Sequence, residues 1–445
     1  MSISRRGQSV LSILFVLGFT QLAFLLGAAV MLLRLPSSEY LSDAFVAYEG
    51  WVKRRHDIRK NQQSNRLSAN GANALVDHPD ETSDGFTLFM CEPGRVTALV
   101  DMHGNVLHRW NAAFSHVFPP GSRSHVRDVV DDVGVCSFSG HLYPNGDLLV
   151  VYHGWAAVNP LNGFGLAKLD KDSNVIWRYA DNIHHDVDVG EDGTIYAIHQ
   201  HLIDDPVPGF EYLPKASIID ELVILSPDGK KIDEIPLLEA FRNSPRYAAL
   251  LGVLERDVHR GVYFPEGGDA GQERRDVLHT NHVEVLPSRL ADRFPMFQPG
   301  QLLISMRHTD IIAVIDPKTK SVVWAAQGPW HAQHDPRFLN NGHLLIFDNE
   351  GLSGSASRVL EYDPQAQSFP WTFSGKLDLP FYTFERGMAQ RLDNGNTLIV
   401  DTHGRQILEV SAKKELVWRL PTAGDVNFAR RYSPEQVSFL DKKVR

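Results

Sequence analysis

The sequence predicts an all-β, six-bladed propeller preceded by one membrane-spanning helix. Three observations carry that prediction. Tight turns PNGD, EDGT, NNGH and DNGN recur around Gly146, Gly193, Gly342 and Gly395, each between two short apolar strands. Asn-Gly and Asp-Gly favour tight hairpins because both central residues take positive φ. A second hairpin recurs six times, at 96–110, 165–179, 221–235, 311–326, 358–373 and 406–420. Four strands per unit, repeating every roughly 40–55 residues, is the pattern of a propeller blade. Finally, Val10 to Leu33 is a run of 24 residues without a charge.

That apolar run comes first in the chain. At about 1.5 Å rise per residue it spans a hydrocarbon core of roughly 30 Å. It is longer than the apolar region of a cleaved signal peptide, about 7–15 residues, so an uncleaved anchor is expected. Arg5 and Arg6 precede it and favour a cytoplasmic N-terminus. Residues 1–36 therefore read as a cytoplasmic tip and anchor, 37–84 as a polar stalk, and 85–445 as the propeller. The body is expected outside the cytoplasm, in a periplasm or at the cell surface.

Within the propeller, "PLLEAFRNSPRYAALLGVL" (236–254) is a candidate short helix in an insertion, 238–278. Trp110, Trp177, Trp324, Trp371 and Trp418 recur at one position of the outer strand, as packing between blades requires. Cys91 and Cys136 are too few for a disulfide scaffold but are able to form one bridge in an oxidising compartment. The net charge of −10 and the lack of a basic stripe exclude nucleic acid as a partner.

The first strand of each blade lines the propeller axis. Two positions equally far from its turn then share one rim. Eight residues before the turn glycine stand Phe138, His185, His334 and Gly387. Seven after it stand His153, Gln200, Arg307, Asn349 and Thr402, with Gly300 taken as the blade-four turn. The first strand of blade four opens "HTNHVEV", and His282 is read as its counterpart to His185 and His334. His185, His282, His334 and Arg307 are thus the candidate catalytic set. His184, Asn349, His153, Gln200 and Thr402 are candidate substrate contacts. Asp186 and Asp335 follow their histidines, so they point to the opposite face and suit bonds to backbone or to a neighbouring blade. The long connections 111–137, 153–163, 201–219 and 238–278 gather at the same end, while 287–300 is the long exception at the other.

A cationic or neutral cluster suits an anionic substrate. A neutral imidazole attacks an electrophilic centre directly, an arginine fork matches oxyanion geometry, and a second histidine moves a proton. These residues fit transfer of a sulfuryl or phosphoryl group without metal, nucleotide or other cofactor.

The segments "HHDVDV", "HTNHVEV … LLISMRHTDIIAVIDPKTKSVVW" and "QHDPRFLNNGHLLIFDN" resemble the bacterial arylsulfotransferases, the PAPS-independent aryl sulfate transferases. The resemblance covers roughly 85–420. It implies a six-bladed propeller in which a histidine is transiently sulfated by an aryl sulfate ester and passes the group to a phenol or another hydroxyl acceptor. By motif, His334 resembles the nucleophile. His282 and Arg307 resemble the pair that binds sulfate and handles the proton, and His185, with His184 as rival, the fourth member. The family's additional N-terminal β-domain has no counterpart in 37–84. Besides a last-ranked quinone-cofactor dehydrogenase, suggested by the likeness of "VIDPKTKSVVWAA" to that class's tryptophan-docking repeat, two other readings stay open. One is a metal-dependent lyase or hydrolase with the ion on His185, His282 and His334. The other is a non-catalytic propeller that binds an anionic ligand at the cell surface.

Overall fold

The computed structural model describes residues 75–76, 78–91, 96–120, 132, 135–154, 161–213, 217–255, 275–351, 356–375 and 381–440. Six antiparallel sheets of four main strands follow one another along the chain. Blade two is Val135–Leu142, Leu148–Gly154, Gly163–Leu169 and Val175–Tyr179. Blade three is Ile183–Val189, Ile195–Ile203, Ser217–Leu225 and Lys231–Pro236. Blade four is Thr280–Val285, Leu302–Met306, Ile311–Asp316 and Ser321–Gln327. Blade five is His334–Phe338, Leu344–Asp348, Arg358–Asp363 and Ser368–Phe373, and blade six is Met388–Arg391, Thr397–Asp401, Gln406–Val410 and Leu416–Pro421.

Blade one closes the ring. Phe86–Cys91, Val96–Val100 and Val106–Trp110 supply three strands, and the C-terminal strand Val426–Tyr432 supplies the innermost. It pairs Phe86 with Tyr432 and Phe89 with Ala429. The first blade looked partial in sequence because its inner strand comes from the other end of the chain. Closure pairs strand edges that would otherwise stay open. Leu75–Val76, within the segment expected to be a stalk, adds a fifth strand to blade six opposite Trp418 and Arg419.

The second strands are largely buried, because they pack on both faces against neighbouring blades; Leu344–Asp348 and Leu302–Met306 are buried throughout, while the end of Ile195–Ile203 from His201 onward reaches solvent. The outer-strand tryptophans fasten blade to blade. Trp177 donates its indole N–H to the Pro227 carbonyl of blade three, Trp371 to Ala412 of blade six, and Trp418 to Met102 of blade one. An indole that donates one bond while burying its rings stabilises a seam twice over.

The 236–254 stretch is helical, with short α-helices at Leu237–Arg242 and Pro245–Ala248, a 3-10 turn at Ala249–Leu251 and α-helical residues again at 252–255. Leu237, Leu238, Phe241 and Leu251 pack into the core shared by blades three and four. After it, Arg275–Asp276 runs parallel beside Ser217–Ile218. The apolar run 10–33 and the Cys91 side chain lie outside the described residues. Among the described residues, no helix is long and apolar enough to cross a membrane.

Candidate functional site

Each inner strand except that of blade six has an irregular step in its ladder near one end. In blade five it lies between His334 and Arg337, in blade four between Thr280 and His282, and in blade two between Ser137 and Ser139. Such bulges re-aim side chains. Four residues before the last paired inner residue stand Phe138, His185, Asn281, His334 and Gly387, counted from Leu142, Val189, Val285, Phe338 and Arg391. All five line one cavity of about 30 Å³, together with Arg386, Asn427 and the residues one step beneath. Gly387 takes a φ of 87°, and a Cβ there would meet the Phe347 ring at 2.4 Å, so no larger residue fits that place.

This ladder corrects the reading of His282. The matched residue in blade four is Asn281. A shift of one residue turns a strand side chain to the other face. His282 Nδ1 instead lies 2.8 Å from Asp186 Oδ2 and 3.6 Å from Asp335 Oδ1, in a buried ion-pair network. Asp335 also accepts from Arg337 Nε at 2.7 Å and from the Ala389 N–H of blade six at 3.0 Å, while Asp186 reaches the Val283 N–H of blade four. His282 therefore ties three blades together beneath the cavity. The trio His185, His282 and His334 forms no common ligand set.

His334 is held on both sides. Its Nδ1 lies 2.8 Å from Asn349 Oδ1 and 3.0 Å from the Ala332 carbonyl. Both are acceptors, so Nδ1 carries the proton and Nε2 keeps its lone pair. The Arg386 backbone N–H approaches that lone pair at 3.2 Å. Burial and the charge of Arg307 push the imidazole down to about 3. His334 is neutral at pH 7.

Around it lies a chain of rings. His153 stacks on Phe138 at 4.6 Å, and His185 meets Phe138, His153 and His279 edge-on at 5.5, 5.1 and 4.8 Å. His279 in turn contacts the ring of His308 at 4.5 Å. Burial lowers His153 and His185 well below the ordinary histidine range. His184 is fully buried behind His185: the two Nδ1 atoms are 2.5 Å apart, and His184 Nε2 is 3.6 Å from Asp220. It orients His185.

His279 was missed in sequence. It takes a φ of 51°, which turns it out of the strand alternation, and its Nδ1 bonds Asp276 at 2.6 Å. Arg307 is anchored to it, the Arg307 N–H donating to the His279 carbonyl at 3.1 Å. The guanidinium reaches the Phe384 carbonyl at 3.5 Å. Arg386 was also missed. Its guanidinium bonds Asn427 at 2.7 Å and lies 5.4 Å from the Phe138 ring centre. Neither residue obeys the spacing rule: His279 stands before the bulge of blade four, and Arg386 just before the first strand of blade six.

None of the five expected substrate contacts lines the cavity itself: His153 and His184 lie among the rings beside it, and the other three are buried elsewhere. Asn349 is fully buried, its amide donating to the Thr383 and Arg386 carbonyls at 2.8 and 2.7 Å. It positions His334. Thr402 is fully buried and donates to Val426 of the closing strand at 2.8 Å. Gln200 is buried in blade three beside Asp220, its backbone N–H on the Asn182 carbonyl at 3.1 Å. His403, just beyond Thr402, stacks on Phe384 at 4.1 Å.

A family model described as arylsulfotransferase (ASST) matches residues 142–423. That span takes in His153, His185, His279, Arg307, His334 and Arg386. No curated protein matches the chain. Among solved structures, a protein of unknown function from Bacteroides caccae is 11% identical with a TM-score of 0.47, covering 78% of this chain and 98% of that one. A streptogramin B lyase is 10% identical at 0.39, covering 79% and 87%. The Dos1 propeller is 12% identical at 0.36, covering 79% and 74%. Likenesses this remote carry no argument about chemistry.

Proposed function

The chain belongs to the arylsulfotransferase family, and from that membership we propose that it moves a sulfuryl group from an aryl sulfate ester to a phenolic or other hydroxyl acceptor through His334, without a nucleotide donor. One observation carries the proposal. His334 is neutral, and Asn349 and Ala332 hold its Nδ1–H so that the lone pair is on Nε2.

In the first half-reaction Nε2 attacks sulfur. The N–S bond forms, the bond from sulfur to the aryl oxygen breaks, and the phenolate leaves. Arg307 and Arg386 supply positive charge where the sulfate oxygens gather, an effect that is large in a buried site. His279, fixed by Asp276, is the histidine assigned to give the leaving oxygen a proton, and His185, held neutral by burial, packs against its ring. In the second half-reaction the acceptor hydroxyl attacks sulfur, its proton returns to that histidine, and the N–S bond breaks. His334 is regenerated neutral, and every proton is accounted for.

The test is the intact mass of the protein after incubation with p-nitrophenyl sulfate and no acceptor. A gain of one SO₃ group that is absent in His334→Ala is expected. Normal transfer by a folded His334→Ala variant would sink the mechanism. The charge-free run 10–33 supports membrane anchorage with the propeller extracytoplasmic; release of the full chain from membranes by alkaline carbonate would contradict it.

One observation favours a metal-dependent reading instead. Asp276, His279 and His308 offer ligand atoms within 4.8 Å of one another. A stoichiometric ion that is lost in His308→Ala, together with activity, would replace the sulfohistidine route.

A further inference from the structure

Away from the cavity, blade three carries a second group of histidines that the transfer mechanism does not use. His199 and His201 alternate with Gln200 on its second strand, so both face one side of the sheet. Glu221 stands directly opposite His199 on the third strand. His199 Nδ1 is 2.9 Å from Glu221 Oε1, and His201 Nδ1 is 3.7 Å from Glu221 Oε2. The ligand atoms of these three residues all lie within 4.8 Å of one another. The other nitrogen of His199, Nε2, is 3.1 Å from Asp181 Oδ1, on the connection between blades two and three.

The geometry points to a divalent transition-metal site, zinc by preference, held by His199 Nδ1, His201 Nδ1 and the Glu221 carboxylate. Two imidazoles and one carboxylate suit zinc's mixed nitrogen and oxygen preference. Zinc bonds of about 2.0–2.2 Å separate neighbouring ligand atoms by about 3–4 Å, close to the spacings seen here. A histidine that binds a metal usually donates its other N–H to a carboxylate, which fixes its tautomer. Asp181 stands where that role requires. The two carboxylates would balance the ion's charge.

The site also has access and rigidity. The His199 and Glu221 side chains are 10% and 7% exposed, and that of His201 is 37% exposed. The two buried ligands are therefore preset on paired strands, and the third closes from the solvent side. A bound ion would tie the blade-two connection to blade three through Asp181 and His199.

The experiment uses the purified full chain, stripped with chelator and titrated with zinc chloride. One ion per chain is expected, with a rise in Tm on binding. His201→Ala, at a half-exposed position that leaves the fold intact, should lose both the ion and the rise. Asp181→Asn should weaken binding by about 10–100-fold. Cobalt substituted for zinc should give visible absorption bands in the wild type and none in His201→Ala. Absence of stoichiometric binding would overturn the site and leave His199 as a cation between two carboxylates. Zinc binding that survives His201→Ala but is lost in His308→Ala would overturn it too, by placing the ion at the other histidine group. Sulfuryl transfer from p-nitrophenyl sulfate is read separately, so failure of one proposal does not touch the other.

Discussion

Asn349 Oδ1 lies 2.8 Å from His334 Nδ1, across the first two strands of blade five. Asn349 is itself pinned by two backbone carbonyls, from Thr383 and Arg386. It cannot rotate without breaking both bonds, so the imbalance between the two ring nitrogens of His334 is built into the fold.

Asn349→Ala should therefore leave substrate affinity nearly intact and lower kcat on the order of 100-fold, the usual cost of a misplaced reacting group. Steady-state kinetics with an aryl sulfate donor separate the two. A variant with wild-type kcat would show that the bond has no part in positioning.

The low proton affinity of His334 gives two pH expectations. An ordinary histidine nucleophile would lose its lone pair below pH about 6.5. His334, pushed down to about 3 by burial and by Arg307, should keep the rate of p-nitrophenolate release flat from about pH 8 to about pH 5, since that leaving group needs no proton. Stability moves the other way. Between about 6.5 and 3 the unfolded His334 binds a proton that the folded one refuses, so unfolding is favoured as pH falls, by up to about 1.4 kcal/mol per unit for this group. His153, His184, His185 and His308, all lowered chiefly by burial, act with the same sign. Urea unfolding at two pH values checks it; a profile that is flat below neutrality would contradict the buried neutral cluster.

His279 and His282 should separate cleanly. His279→Ala is expected to reduce turnover by roughly 10²–10⁴-fold, the range of a lost general acid or base. His282→Ala should leave the kcat of the folded fraction unchanged and cost about 3–5 kcal/mol of stability, because Asp186 and Asp335 lose their buried partner. Thermal melts beside active-site titration resolve this. The reverse outcome would restore His282 to the catalytic set.

Removal of residues 426–445 should abolish cooperative folding. Without Val426–Tyr432 the Phe86–Cys91 strand has an open edge and the apolar contacts of Phe428 are lost. Limited proteolysis is the readout. A truncated chain as resistant as the parent would mean that closure does not hold the ring.

Strand alternation and tight-turn chemistry are local, so they stand in the amino-acid order. That is why the six blades, their outer hairpins, the docking tryptophans and the shared ring position of Phe138, His185, His334 and Gly387 were all legible. The count failed in blade four because its first turn, 287–300, is long and holds a 3-10 helix, Ser288–Arg293. Gly300 then gives no count back to the inner strand, and the reading of "HTNHVEV" took His282, not Asn281, as the counterpart. Blade one hid its inner strand because that strand lies at the far end of the chain. His279 and Arg386 were out of reach for another reason. Each takes a positive φ, 51° and 65°, beside its inner strand, so its direction is set by packing between blades and by Asp276 or Asn427. The sequence by itself thus determined the blades and the place of His334 on the ring. The tertiary structure alone decided which arginine and histidine meet it, because neighbours from different blades come together only when the ring closes.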